Sequence, residues 1–206
     1  MEIIASDLGK RFNFNWIFQN LELHIQRGER CVVLGANGSG KSTLIQILSG
    51  AVLPSAGNLK WTYQGKSIDP DEIYRFVSIA APYLDLIEDY SLRELLDFHF
   101  SLKPLIGQIN KSELIELSTL QAAADRPLRY YSSGMKQRVK LLLALCSDTP
   151  LVLLDEPLSN LDARGSDWYE LLIERFAGER IILVASNHQQ REYSFCKRQI
   201  HLSARQ

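Results

Sequence analysis

The segment Gly35-Ala36-Asn37-Gly38-Ser39-Gly40-Lys41-Ser42-Thr43 constrains this chain more than any other. It follows the apolar run Cys31-Val32-Val33-Leu34. It precedes a stretch of helical composition, apolar at Leu44, Ile45, Ile47 and Leu48 and stopped by Gly50. A strand, a glycine-rich turn and a helix in that order fit the phosphate-binding pattern G-x-x-x-x-G-K-[ST]. The glycines let successive backbone N–H groups turn inward at a helix N-terminus, forming a nest for phosphate oxygens. In such a loop Lys41 reaches the β- and γ-phosphates, Ser42 ligates Mg²⁺ and Thr43 helps hold the α-phosphate. The bare pattern arises by chance on the order of once per hundred chains of this length, and its flanking strand and helix lower that further.

A second motif stands downstream. The apolar run of residues 151–154 ends in Asp155 and Glu156. Acids beside a buried strand are costly unless a cation or a proton-transfer role compensates. Asp155 is placed to support a Mg²⁺ shell, and Glu156 to polarise an attacking water as general base. An exposed strand-to-turn junction would also tolerate two acids; the phosphate loop upstream favours the chemical reading.

Around these motifs the pattern alternates. Residues 58–63, 76–80, 151–154 and 181–185 read as strands, and the last two are continuous apolar runs of parallel-sheet type. Helical signals dominate from about residue 91 to 147, opening on a capping box in which Ser91 caps and Glu94 reaches back. Trp168, Leu171, Leu172 and Phe176 mark a helix between the last two strands. The expectation is an α/β fold: a parallel sheet interrupted by a helical insertion. The chain's 206 residues fit one domain, and 46% hydrophobic content excludes disordered, collagenous and disulfide-scaffold classes. With 23 basic and 24 acidic residues the net charge is −1, so no overall basic field points to nucleic acid as a partner. Three scattered cysteines, Cys31, Cys146 and Cys196, read as reduced cytosolic thiols. The longest uncharged stretch, residues 42–59, is broken by Gly50, Pro54 and Gly57, so no membrane span is expected. Met1-Glu2-Ile3-Ile4 also lacks the start of a signal peptide.

Between the two site motifs lies Tyr131-Ser132-Ser133-Gly134-Met135-Lys136-Gln137-Arg138, at the head of an amphipathic stretch containing Val139, Leu142, Leu143 and Cys146. Physically it is a helix cap or a second anion-binding helix end. Taken in order with the other motifs it resembles the signature segment of ABC-type ATPases, and the resemblance covers essentially the whole chain. That resemblance implies a P-loop NTPase fold with a mostly parallel sheet flanked by helices. It also implies an inserted helical subdomain of about residues 83–147 within a core of about 1–82 and 148–206, and a small N-terminal antiparallel β region. It implies that Ser132, Ser133 and Gly134 contact ATP bound to an opposite subunit, in a homodimer or a heterodimer with a second ABC ATPase. The commonest family pattern has glycine at Ser133 and glutamine at Met135.

Further positions follow from the same resemblance. Ser159-Asn160-Leu161-Asp162 looks like the loop that connects the two sites across a dimer, although Asp162 also suits a helix N-terminus. Ser186-Asn187-His188 resembles the segment whose His touches the γ-phosphate; the register leaves Asn187 and His188 as candidates, with His188 preferred. Phe12 resembles the aromatic residue that stacks on adenine, with Trp16 as rival. Where family members usually carry Pro-Gln, this chain has Pro82-Tyr83, and a phenol lacks the amide's paired donor and acceptor. The neighbouring Leu84, Leu86 and Ile87 suit either a groove for a membrane subunit or the core of the helical lobe. The resulting expectation is an ATP-hydrolysing transporter subunit. It uses ATP and Mg²⁺, works on integral membrane subunits, and is cytoplasmic and peripheral to the inner face of the cell membrane. A soluble ABC ATPase without a transporter, or a weakly hydrolysing nucleotide-gated module, are the alternatives.

Overall fold

The structure, a computed structural model, describes residues 1–202. A hairpin of β1 (Glu2–Phe12) and β2 (Asn15–Gln26) precedes β3 (Arg30–Leu34) and helix α1 (Lys41–Leu48). Strands β4 (Ala56–Tyr63) and β5 (Lys66–Ile68) return to the hairpin, and β6 (Val77–Ala80) follows. Three helices come next: α2 (Leu92–Leu102), α3 (Lys111–Ser118) and α4 (Ser133–Cys146). The chain closes with β7 (Leu151–Asp155), α5 (Ala163–Phe176), β8 (Ile181–Ser186) and β9 (Arg198–His201).

The strands form two sheets. One is antiparallel in the order β2-β1-β4-β5. The other is parallel in the order β6-β7-β8-β3-β9. Every residue of β7 and β8 is buried, which requires cover on both faces. Alternation along the strands divides that cover. Val32, Leu34, Val152, Leu154, Ile182 and Val184 pack with α4, α5 and the helical insertion. Cys31, Val33, Leu151, Leu153, Ile181 and Leu183 pack with α1 and the antiparallel sheet. The α/β expectation with a parallel sheet and a helical insertion is the observed architecture.

Several local devices fix the helices. Ser91 and Asn110 each make a reciprocal capping box, with Glu94 and Glu113. Asp162 caps α5, its carboxylate accepting from the Gly165 N–H at 2.7 Å. At the other end of the helices, the buried Arg180 guanidinium donates to the carbonyls of Leu145, Ser147, Phe176 and Ala177. One cation thereby satisfies carbonyls at the ends of both α4 and α5. The helix marked by Trp168, Leu171, Leu172 and Phe176 is α5; Leu171 lies on its solvent side, 64% exposed, because the buried stripe is carried by Trp168, Tyr169, Leu172, Ile173 and Phe176. Leu86 packs against the helical core, whereas Ile87 is exposed.

His99 sits near the end of α2 against Ser147. The Ser147 hydroxyl donates to Leu143 O at 2.7 Å and accepts from His99 Nε2 at 2.9 Å. Burial, with Lys103 adding, pushes the imidazole down to about 4. The unfolded chain therefore binds a proton near pH 6.5 that the native state refuses until about 4, so this part of the stability is full above 6.5 and lost as pH falls through that window. A His99→Gln variant should flatten the fall in unfolding free energy between pH 7 and 4, by no more than about 3 kcal/mol. Urea unfolding at several pH values checks this, and parallel profiles for the two proteins would contradict it.

Candidate nucleotide site

In a parallel sheet all the strand C-termini lie along one edge, and loops leaving that edge meet in a crevice. Here β3 delivers the glycine loop, β7 delivers Asp155 and Glu156, β8 delivers Ser186 to His188, and β6 leads to Tyr83. The register places them level, with Leu34 opposite Ser186, Asp155 opposite Ala185 and Ala80 opposite Leu154. Asn37, Gly38, Gly40, Lys41, Ser42, Thr43, Glu156 and Ile17 line a cleft of about 410 Å³.

The loop is shaped by two demands. Gly40 has φ 98°, and a Cβ there would lie 2.4 Å from Ile17 Cγ2, so only glycine fits. Lys41, 5% exposed, folds back so that Nζ donates to Gly35 O at 2.8 Å and Ala36 O at 3.1 Å. Its ammonium is thus held inside the turn of residues 35–40, with Ala36 exposed on the rim and the Ser39 hydroxyl buried without a partner.

Asp155 is 1% exposed, and neither carboxylate oxygen has a hydrogen-bond partner among the described residues. Burial raises its carboxyl above the ordinary carboxylate range and Glu156 adds to this. The Ser42 hydroxyl and Lys41 oppose the shift. Ser42 faces the carboxylate without reaching hydrogen-bond geometry. A buried, unpaired anion beside a serine hydroxyl and a phosphate-type loop is the donor set of a hard divalent cation. Ser42 and Asp155 therefore fit Mg²⁺.

Glu156 is half-buried and in left-handed backbone, φ 45°, with its N–H donating to Ala185 O at 2.9 Å. His188 is exposed on the turn after β8, also left-handed at φ 61°. Tyr83 is 40% exposed, its hydroxyl reaches Gln46 of α1, and burial first and Asp155 second push the phenol above its ordinary value.

The adenine candidates separate by face. The β1–β2 register slips between Lys10–Phe18 and Arg11–Trp16, leaving Ile17 as a bulge residue. Ile17 and Phe18 both turn toward Gly40, and Lys10 and Phe12 share that face, with Lys10 Nζ 5.0 Å from the Phe12 ring centroid. Trp16 lies on the opposite face, against Gly9 and Arg11.

Ser132 and Ser133 are not part of this cleft. They stand exposed at the head of α4, where the Ser132 hydroxyl accepts from Met135 N–H at 3.2 Å. Gly134 is pressed against the loop after β7, and a Cβ there would lie 2.7 Å from Asn160 O. Two residues without a role in the sequence reading complete the frame. Gln137, buried on α4, donates to Pro157 O at 2.9 Å, and buried Glu192 accepts from Leu158 N–H at 3.2 Å. Their only sequence signal is polarity, which a solvated helix face would also show.

A phosphate loop, a buried acid pair and a capped serine helix on this sheet define a nucleotide-binding ATPase cassette. The family profile described as ABC transporter matches residues 18–159. The lipoprotein-releasing system ATP-binding protein LolD of Protochlamydia amoebophila is 31% identical over 198 residues, covering 90% of this chain and 86% of LolD. The lantibiotic transport ATP-binding protein SrtF of Streptococcus pyogenes is 28% identical over 187 residues, covering 88% of this chain and 78% of SrtF. The post-hydrolysis dimer of the ATP-binding cassette MJ0796 with ADP and Pi superposes with TM-score 0.82 at 20% identity, covering 99% of this chain and 97% of that one. The chain belongs to the ABC transporter family.

The unpaired acid gives a direct check. Asp155→Asn should abolish the Mg²⁺-dependent part of ATP binding while leaving binding in EDTA unchanged, measured by isothermal titration. Equal loss under both conditions would contradict the cation role.

Proposed function

We propose that the protein binds and hydrolyses ATP as the ATP-binding subunit of an ABC transporter, pairing with a second cassette when ATP is bound. The observation that carries this is a buried, unsatisfied Asp155 beside the Lys41 loop, while Ser132 and Ser133 stand exposed and line no part of their own cleft. A site whose second wall is absent from the chain asks for another chain to supply it. In the closed pair, Ser132, Ser133 and Gly134 of one subunit cap the phosphates held by the other's residues 35–43. The small Ser133 can offer its own N–H to an anion at a helix start.

Within one site, Lys41 neutralises phosphate charge and the loop N–H groups orient the triphosphate. Glu156 accepts the proton of the attacking water, and His188 donates to the γ-phosphate from the neighbouring turn. Mg²⁺, held by Ser42 and Asp155, supplies charge stabilisation at the phosphates when bound. Phe12 offers its ring to adenine from the face shared with Ile17. Hydrolysis and release would reopen the pair, and residues 83–147 would carry that motion to membrane subunits as a helical subdomain on a core of residues 1–82 and 148–206. In this reading the cassette works peripherally on the cytoplasmic face against integral membrane subunits; among its described residues no helix is long and apolar enough to cross a membrane. Tyr83, with a phenol where the family usually has an amide, favours a second reading in which turnover is slow and the cassette acts chiefly as a nucleotide-gated clamp.

Glu156→Gln should lower multiple-turnover ATP hydrolysis about 10²–10⁴-fold while keeping ATP affinity. The same variant should sediment in ATP at twice the 23.4 kDa chain mass. Wild-type turnover in this variant would remove Glu156 as the base, and monomers at saturating ATP would remove the paired arrangement.

A further inference from the structure

Two of the residues placed in the reaction hold unfavourable backbone. Glu156 and His188 are both non-glycine residues in the left-handed region, at φ 45° and 61°. Such conformations are costly for residues with a Cβ and persist only where the surroundings over-determine them. Each residue is followed by a turn: Pro157-Leu158-Ser159 after Glu156, and Gln189 after His188. A single buried side chain holds both turns.

That side chain is Glu192, 2% exposed, at the end of a short 3₁₀ segment of residues 190–192. Its Oε1 accepts from Leu158 N–H at 3.2 Å, two residues after Glu156. Its Oε2 accepts from the Ser186 hydroxyl, two residues before His188. The Ser186 oxygen in turn accepts from Gln189 N–H at 3.3 Å, closing the turn that carries His188. The segment holding Glu192 is itself anchored. Tyr169, fully buried on α5, donates its hydroxyl to Glu192 O at 2.9 Å, and Arg191 pairs with Asp167 and Glu170 of α5. On the other side of the Glu156 turn, Gln137 donates to Pro157 O at 2.9 Å.

We infer that Glu192 is a positioning residue for hydrolysis: its carboxylate clamps the turn after Glu156 to the turn bearing His188, so that base and phosphate donor keep a fixed separation. It is buried behind the cleft rather than lining it, and acts through the two residues it frames. A bidentate acceptor suits this task, because each oxygen serves a different strand end and a rotation releasing one releases the other. The inference rests on the roles given above to Glu156 and His188. It adds a mechanical link between adjacent strand ends β7 and β8, which pair at Asp155–Ala185 and then separate into the two turns.

The test compares steady-state hydrolysis, ATP affinity by titration and melting temperature for wild type, Glu192→Ala and Glu192→Gln. Glu192→Ala should lose about 10- to 100-fold in kcat, with KM and ATP affinity unchanged. Glu192→Gln should recover most of the rate, because its amide oxygen still accepts from Leu158 and its NH₂ can donate to Ser186. A Glu192→Ala protein that melts earlier yet keeps wild-type kcat would reduce the residue to a structural part and overturn the inference. A parallel loss of rate and ATP affinity in both variants would do the same. Should Glu192→Ala not fold, Ser186→Ala removes one half of the clamp; a several-fold lower kcat at unchanged affinity supports the inference, and an unchanged kcat overturns it. A wild-type protein that releases no phosphate fails the functional reading itself, whereas turnover equal in wild type and Glu192→Ala fails only the clamp.

Discussion

A carboxylate with no partner, buried at the end of a fully covered strand, is the constraint around which this protein is organised. Asp155 could gain stability by exposure or by pairing, and the fold permits neither: β7 is the second strand of five, covered on both faces. Leaving such a group unsatisfied costs on the order of 1–3 kcal/mol or more, a large share of a domain's net stability. The nearest cation, Lys41, is turned away to the loop carbonyls of Gly35 and Ala36. Two opposite charges are thus left without a direct ion pair: Lys41 only partly offsets the rise that burial imposes on the Asp155 carboxyl. That separation is the arrangement a metal–phosphate ligand would complete, and the free energy withheld from folding becomes available to binding.

Strain is distributed in the same region. Glu156, Asn160 and His188 all occupy left-handed backbone, and all lie on turns leaving β7 and β8. Their neighbours hold them from several directions: Ala185 through the Glu156 N–H, Gln137 through Pro157, Glu192 through Leu158 and Ser186, and Gly134 through its close approach to Asn160. Two of these contacts, those of Gln137 and Gly134, come from one helix. Gln137 and Gly134 sit on α4, whose first residues are the exposed serines, so a load applied at Ser132 reaches the turn behind Glu156 through one helix end.

What could be read from the chain without coordinates follows from how local each signal is. The phosphate loop, the Asp155–Glu156 pair and the Ser91–Glu94 box are contiguous or nearly so, and each was visible as a pattern. The parallel sheet was visible because continuous apolar runs need two covered faces. The long hairpin of β1 and β2 was not read strand by strand, since its exposed positions mix Asp7, Lys10, Arg11 and Asn20 with apolar residues and its register slips three times. The same slips put Phe12 and Trp16 on opposite faces of the hairpin, which no count of residues could do. Leu171, one of the apolar residues that mark α5, is solvent-facing because the buried stripe of the helix is narrower than its hydrophobic content. Gln137 and Glu192 carry only the signal of polarity, which does not reveal burial: a buried polar group is defined by its partners, and Pro157 and Leu158 lie 20 and 34 residues away.

The central claim is that the cleft between the glycine loop and the acid pair performs multiple-turnover hydrolysis of ATP through Lys41. Phosphate release by the purified protein, followed with excess ATP and Mg²⁺ for wild type and Lys41→Ala, tests it most directly. The account predicts many phosphates per wild-type chain and none above background for Lys41→Ala. Equal release by the two proteins, or none from wild type, would contradict it.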